Sequence, residues 1–308
     1  MTTSADARRP HSHRPRVSIV IPTFNRASLL RSAIESVLGQ DFTDVCLIVA
    51  DDASTDETSE VVASFADQRI HYLRQPYDLG GWLPNSNSAY RCVDSEFVGW
   101  MGDDDQMLPG ALSRAVAAFD AHPSVGLVHA SFNYVDADGT VIVPGATIGP
   151  WPPCDTFESG RTYIRKAMRY GTLVCSPSSL MRTAALPPVP FDPDEGPTAD
   201  AGLYMRIGLN WDVYFIAAPA VNYRLHRDSD SAIWSRLAGD RYRPTMRLVR
   251  RVRTTKLRFI DTYGEQVGSP TWQLWTIAQL ATLRSVAARA VPDSVAVRLR
   301  RTRALVRS

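Results

Sequence analysis

Lysine is almost missing from this 308-residue chain. It stands only at positions 166 and 256, although Lys and Arg together number 34. The other basic residues are Arg, a bias that fits a GC-rich coding sequence and carries no functional weight. Cysteine is sparse too: Cys46, Cys92, Cys154 and Cys175 lie far apart without C-x-x-C spacing. That argues against a disulfide framework and against a zinc site, and fits reduced packing residues. No run of eighteen apolar residues occurs, and residues 1–16 are polar with no apolar h-region. Neither a membrane span nor a secretory leader is therefore expected, and the expected location is the cytoplasm. The first βα turn lacks G-x-G-x-x-G, which removes a dehydrogenase reading. It also lacks the Gly-rich loop that usually opens a nucleotidyltransferase.

The charge is close to neutral, at +2, but unevenly spread. From Arg236 to Ser308 sixteen Arg or Lys face four acids, leaving the rest of the chain net acidic. Between Arg241 and Arg258 the apolar Met246, Leu248, Val249, Val252 and Leu257 interleave with Arg. Such a basic amphipathic helix suits an anionic membrane surface, at the inner face of the plasma membrane, or covers the preceding domain with its apolar side. No recognised binding motif accompanies the charge, so nucleic acid is not an expected partner.

Hydrophobic periodicity supplies the fold class. Val17 to Ile21 is a β-branched run stopped by Pro22, and Leu29, Leu30, Ala33, Ile34, Val37 and Leu38 follow at helical spacing. Val45 to Ala50 repeats the strand. Ser54 is placed to cap a helix carrying Val61, Val62 and Phe65. A third strand at Ile70 to Leu73, a Gly80-Gly81 turn, a helix at Ser86 to Val93 and a strand at Glu96 to Met101 complete a βαβαβαβ series. The series predicts an α/β fold with a mostly parallel sheet flanked by helices. After a helix at Gly110 to Ala121, Val125 to Val135 and Thr140 to Val143 read as a hairpin across Asp136-Ala137-Asp138-Gly139. Helices are expected near Arg161 to Tyr170, Ala199 to Leu209, Asp240 to Tyr263, Thr271 to Ala290 and Ser294 to Val306, with an extended segment at Ser178 to Arg182.

Asp103-Asp104-Asp105 lies just beyond the strand that ends near Met101. Adjacent acids repel one another, so a divalent cation or a network of sugar hydroxyls is a physical reason to keep them together; a solvated turn is the plain alternative. Val17 to Arg26, then Asp51-Asp52-Ala53-Ser54-Thr55-Asp56-Glu57-Thr58, then Gly102-Asp103-Asp104-Asp105 with Leu108-Pro109, form three ordered motifs at strand ends. Together they resemble the family 2 glycosyltransferases with a GT-A fold over roughly Val17 to His226.

That resemblance implies a catalytic domain at 17–232; the polar residues 1–16 read as a flexible tail and 233–308 as a helical basic C-terminal region. Within the catalytic domain, 17–108 would bind nucleotide and 109–232 acceptor. Pro22, Thr23, Asn25, Asp51, Asp78, Asn87 and Asp103 would contact a nucleoside-diphosphate sugar, with Asp51 accepting from a base N–H and a UDP-sugar favoured. Asp104, with Asp105 and His226, would hold Mn2+ or Mg2+. Asp200 would act as the base that activates an acceptor hydroxyl, inverting the anomeric centre, on a glycolipid or glycan of the cell envelope. A relative that binds nucleotide sugar without turnover is an alternative, as is a nucleotidyltransferase. Some residues have bland readings of their own. Asp51 and Asp52 suit helix caps or Asx turns, Asp56 and Asp200 suit first-turn acids, and Trp151 suits packing in a Pro-rich loop.

Overall fold

The computed structural model describes residues 14–225 and 246–267, together with Thr276 and Ala278. Strand β1 (Val17–Thr23) is buried at all seven positions, because its side chains alternate between two covered faces. Val17, Ile19 and Ile21 pack with Leu30, Ile34 and Val37 of α1 (Ala27–Leu38) and with Leu112 and Phe119 of α4 (Ala111–Ala121). Val20 points the other way. It joins Ile48 and Val98 against α5 (Gly160–Tyr170), α6 (Ala199–Ile207) and the C-terminal helix α7 (Met246–Tyr263). The period of two thus gives a three-layer sandwich with one core on each face of the sheet.

The strands β2 (Val45–Asp51), β3 (Ile70–Arg74) and β4 (Phe97–Trp100) flank β1 in the order β3-β2-β1-β4, all parallel. Helices α2 (Thr58–Ala63) and α3 (Trp82–Tyr90) make the intervening crossovers. Beyond β4 antiparallel strands join the parallel series. Strand β9 (Ser179–Arg182) runs antiparallel between β4 and β6 (Val125–Val135), and β6 is parallel to β10 (Asp212–Arg224). Three short strands, β5 (Gln106–Met107), β7 (Val141–Ala146) and β8 (Thr156–Glu158), add antiparallel pairings. Short connections such as the β6–β7 turn reverse the chain, and only a crossover restores parallel direction. Among the described residues the sheet holds ten strands, with both parallel and antiparallel pairings.

Two local expectations are corrected. Ser54 does not cap α2: that helix begins at Thr58, and the Ser54 hydroxyl accepts from Asn25 N–H at 2.9 Å. Helix α3 starts at Trp82, not Ser86, because Pro84 is tolerated in a first helical turn whose N–H groups need no intrahelical acceptor. Strand β10 was not anticipated from the sequence at all. The expected helices at Thr271 to Ala290 and Ser294 to Val306, like the tail at 1–13, lie essentially outside the described residues.

Candidate active site

Three parallel strands end side by side at one edge of the sheet with polar residues. Thr23 closes β1 in register with Asp51 of β2, and Asp51 faces Arg74 of β3. Carboxyl ends of parallel strands are where open α/β sheets bind ligands. Strand β4 pairs with β1 from Val17–Phe97 as far as Val20–Trp100, with Met101 N–H donating to the Val20 carbonyl at 3.0 Å. Pro22 has no N–H to extend that ladder. The two chains part, and the Thr23 hydroxyl donates across the gap to Asp103 Oδ2 at 2.8 Å.

The acid loop is tightly packed. A Cβ at position 102 would stand 2.6 Å from Asp104 Oδ1 and 2.9 Å from Asp105 Oδ2, so only glycine leaves both carboxylates in place. Arg26 bridges the first two acids, donating from Nη1 to Asp103 Oδ1 at 3.1 Å and to Asp104 Oδ2 at 3.2 Å. Asp105 is buried and accepts from Arg224 N–H at 2.9 Å. The Arg224 guanidinium donates to the carbonyls of Asp104 at 2.9 Å and Ala137 at 2.8 Å, tying the loop to the β6–β7 turn.

Burial pushes the Asp103 carboxyl up to about 6; the Asp104 charge adds to this, while Arg26 and Thr23 oppose it. Burial, with the Asp104 charge, likewise drives Asp105 well above the carboxylate range despite the Arg224 N–H. Negative charge is therefore in excess here, and Arg26 and Arg224 offset it only in part. An all-oxygen donor set with surplus negative charge fits a hard divalent cation. Among the described residues no three His, Cys, Asp or Glu side chains are grouped to hold an ion by themselves. A cation would take one or two of these carboxylates and complete its shell with phosphate and water oxygens. Asp105 is committed to the edge of β10, which leaves Asp104 the better placed; His226 lies outside the described residues.

The neighbouring loops lock onto the same edge. Asp51 accepts from Ser54 N–H at 2.8 Å, from Tyr72 Oη, and from Arg74 Nη1 at 3.1 Å. Burial, then the hydrogen bond to Asp51, pushes the Tyr72 phenol up to about 12. Asn25, at φ 53°, occupies a left-handed conformation that Asn tolerates, and its Oδ1 accepts from Thr55 N–H at 2.7 Å. Asp56 lies ahead of α2 and not in its first turn, against expectation. It accepts from Ala27 N–H at 2.9 Å and from the Thr58 hydroxyl, joining the starts of α1 and α2. Asp52 caps no helix: it accepts from Leu79 N–H at 2.7 Å and Gly81 N–H at 3.2 Å, shaping the loop in which Asp78 accepts from Gly80 N–H at 2.7 Å. The Asn87 amide pairs on both sides with the Phe191 backbone, at 2.7 and 3.0 Å.

Asp200 sits in the first turn of α6. Its Oδ2 accepts from the Ser176 hydroxyl at 2.8 Å and its Oδ1 from Ala201 N–H at 2.7 Å. Burial raises its pKa against those hydrogen bonds. The turn at Ser176–Ser178 links it to the acid loop: burial raises the Cys175 thiol, and the charges of Asp105 and Asp200 both push it further. Ser176, Arg224, Tyr72 and Arg74 escaped the sequence reading, and the one local signal among them is the Ser-Pro-Ser of that turn. Trp151 packs: it stacks on Phe215 with centroids 4.9 Å apart and donates from Nε1 to the Leu173 carbonyl at 2.9 Å.

The sequence model described as "Glycosyl transferase family 2" matches residues 18–182, more than half of the chain. The chain belongs to the family 2 glycosyltransferases. This glycosyltransferase is 45% identical over 102 residues to the GalNAc(5)-diNAcBac-PP-undecaprenol beta-1,3-glucosyltransferase of Campylobacter jejuni, covering 32% of the chain and 33% of that relative. It is 30% identical over 145 residues to the chondroitin synthase of Pasteurella multocida, covering 46% of the chain and 14% of the synthase. The matched segments thus span a third or less of these two relatives. Among solved structures, Staphylococcus aureus TarS residues 1–349 in complex with UDP aligns at a TM-score of 0.60 and 18% identity, over 85% of this chain and 69% of that one. The mannosyltransferase PcManGT of Pyrobaculum calidifontis, in complex with GDP-Man and Mn2+, aligns at 0.55 and 19%, over 96% and 82%. The family 2 glycosyltransferase therefore has the GT-A architecture that the βαβ series and its motifs led us to expect.

Proposed function

We propose that this glycosyltransferase moves a sugar from a nucleoside-diphosphate donor to an acceptor hydroxyl, with inversion and with a divalent cation held at Asp104. The observation that carries the reading is the meeting of Thr23, Asp51 and the Asp103–Asp105 loop at one sheet edge, with Asp200 reached across the Ser176 turn. When bound, Mn2+ or Mg2+ neutralises charge on the departing diphosphate. Asp103 and Thr23 are placed for the ribose hydroxyls, and Pro22 and Asn25 shape the floor beneath them. Asp51 takes the base N–H; a carboxylate has about four acceptor positions, and three protein donors leave one. A UDP-sugar is favoured on that ground, and Asp78 lines the adjoining loop.

As the acceptor oxygen attacks the anomeric carbon, the bond to the diphosphate oxygen breaks and the hydroxyl proton passes to Asp200. A buried carboxylate of raised pKa is a stronger base, and such proton transfer contributes roughly 10²- to 10⁴-fold. The segment 17–108 then serves the nucleotide and 109–232 the acceptor. A glycolipid or polysaccharide of the cell envelope is the proposed acceptor, in keeping with a relative named for a PP-undecaprenol-linked glycan. The work is assigned to the inner face of the plasma membrane, with the basic C-terminal region against anionic lipid.

The test is thermal unfolding with UDP, GDP and dTDP, each with and without Mn2+, on the parent, Asp104→Ala and Asp200→Asn, beside transfer from labelled donors. A nucleotide at a hundred times its Kd stabilises by about 2.7 kcal/mol, a rise of about 5–10 °C in a domain of this size. The parent and Asp200→Asn should show a Mn2+-dependent rise that Asp104→Ala lacks, while Asp200→Asn loses transfer by about 10²-fold or more. No rise with any nucleotide would remove the donor-site reading, and full transfer by Asp200→Asn would remove its role as base.

A further inference from the structure

Arg26 is the residue at the site that none of the roles above uses. It stands between β1 and α1, and a single nitrogen, Nη1, lies 3.1 Å from Asp103 Oδ1 and 3.2 Å from Asp104 Oδ2. The three side chains are largely covered, at 26%, 7% and 13% exposure. The point between those two oxygens is where a positive charge gains most from both. Resting on the reading of Asp104 as the cation ligand, we infer that Arg26 and the divalent cation compete for this point, so that cation binding waits on the donor, whose diphosphate draws the guanidinium away.

The physical grounds are steric and electrostatic. Mg2+ ligates oxygen at about 2.0–2.1 Å, so a cation seated between Asp103 Oδ1 and Asp104 Oδ2 would press on Arg26 Nη1, which bridges the same two oxygens with like charge. Arg26 must therefore leave for the cation to settle. A departing guanidinium needs another anion, and phosphate oxygens accept it in the same bidentate fashion as carboxylates. The donor supplies them, and cation and donor become mutually dependent: each raises the affinity of the other by the same factor. Without a donor, Arg26 relieves part of the repulsion among Asp103, Asp104 and Asp105 and disfavours a stray divalent ion.

The experiment measures Mn2+ binding by the electron paramagnetic resonance of free Mn2+, without nucleotide and with UDP or GDP, after subtracting the Mn2+ that nucleotide alone retains. The chains compared are the parent, Arg26→Gln, Arg26→Lys and Asp104→Asn. Arg26→Gln should bind Mn2+ on the order of tenfold tighter without nucleotide, and the gain that nucleotide confers should shrink by a like factor. Arg26→Lys, which keeps the charge, should stay near the parent. Equal or weaker Mn2+ binding by Arg26→Gln, with Asp104→Asn weakened, overturns the competition and leaves the cation site standing. Unchanged binding by Asp104→Asn overturns the cation site itself.

Discussion

His129 shows what burial does to a single residue. Its ring is enclosed in β6, 4.4 Å from Trp151 and 5.2 Å from Phe215 between centroids, and Nε2 has no hydrogen-bond partner. Burial, aided by the Lys166 charge, pushes its pKa down to about 3. The unfolded chain takes a proton on this side chain below its ordinary value of 6.5, whereas the folded chain refuses it until far lower. Stability is therefore complete above that value and is lost as pH falls through the window toward 3. At pH 5 the loss from this residue is about 2 kcal/mol. Replacing the imidazole by a ring that cannot titrate removes this pH dependence. Urea unfolding of the parent and His129→Phe at pH 7.5 and pH 5 should show the parent losing about 2 kcal/mol more. Equal losses would mean that the folded chain already accommodates the proton.

Helix α7 illustrates the element scale. Thr255 shares a hydrogen bond with Thr198 at 2.9 Å, Lys256 Nζ donates to the Met168 carbonyl at 2.8 Å, and Arg258 pairs with Asp194 at 3.1 Å. Phe259 and Ile260 are buried beside them, each worth about 1.5–3 kcal/mol. These contacts grip the segment that leads into Asp200 two residues on. Burial pushes the Lys256 ammonium down to about 8 from 10.5. Between those values the unfolded chain binds the proton that the folded chain has released, so stability rises with pH there. Relative to Lys256→Met, the parent should gain about 2 kcal/mol between pH 7.5 and pH 10, and parallel profiles would sink the assignment. Of the apolar residues expected to cover the domain, Leu257 packs against it, while the side chains of Met246, Leu248, Val249 and Val252 lie outside the described residues. Where periodicity was strong, from β1 to α4, elements were readable in the sequence. Strands β5 and β8, two and three residues long, carry no period to read. The site divides the same way: Thr23, Asp51 and Asp103–Asp105 announce themselves by motif at strand ends. Tyr72, Arg74 and Arg224 reach those acids only through strand register and sheet order, which no local pattern encodes.

At the scale of the whole molecule, charge is divided along the chain. Residues 236–308 hold sixteen Arg or Lys against four acids, while the remainder is net acidic and the total is only +2. No helix among the described residues is long and apolar enough to cross a membrane. Charge with a shallow apolar contribution is one source of attraction to an anionic bilayer. Each basic residue near an anionic leaflet is worth about 1 kcal/mol, and the acidic remainder is repelled by the same leaflet, which favours one orientation over others. The attraction decays over about 10 Å at 0.1 M salt and about 3 Å at 1 M. The full chain should float with phosphatidylglycerol–phosphatidylcholine vesicles at 0.1 M salt, and remain at the bottom at 1 M salt or with phosphatidylcholine alone. Flotation with both lipids at both salt levels would assign binding to apolar insertion instead. No flotation with the anionic vesicles at 0.1 M would end the membrane reading, while leaving the sugar-transfer assignment resting, as it does now, on the sheet edge.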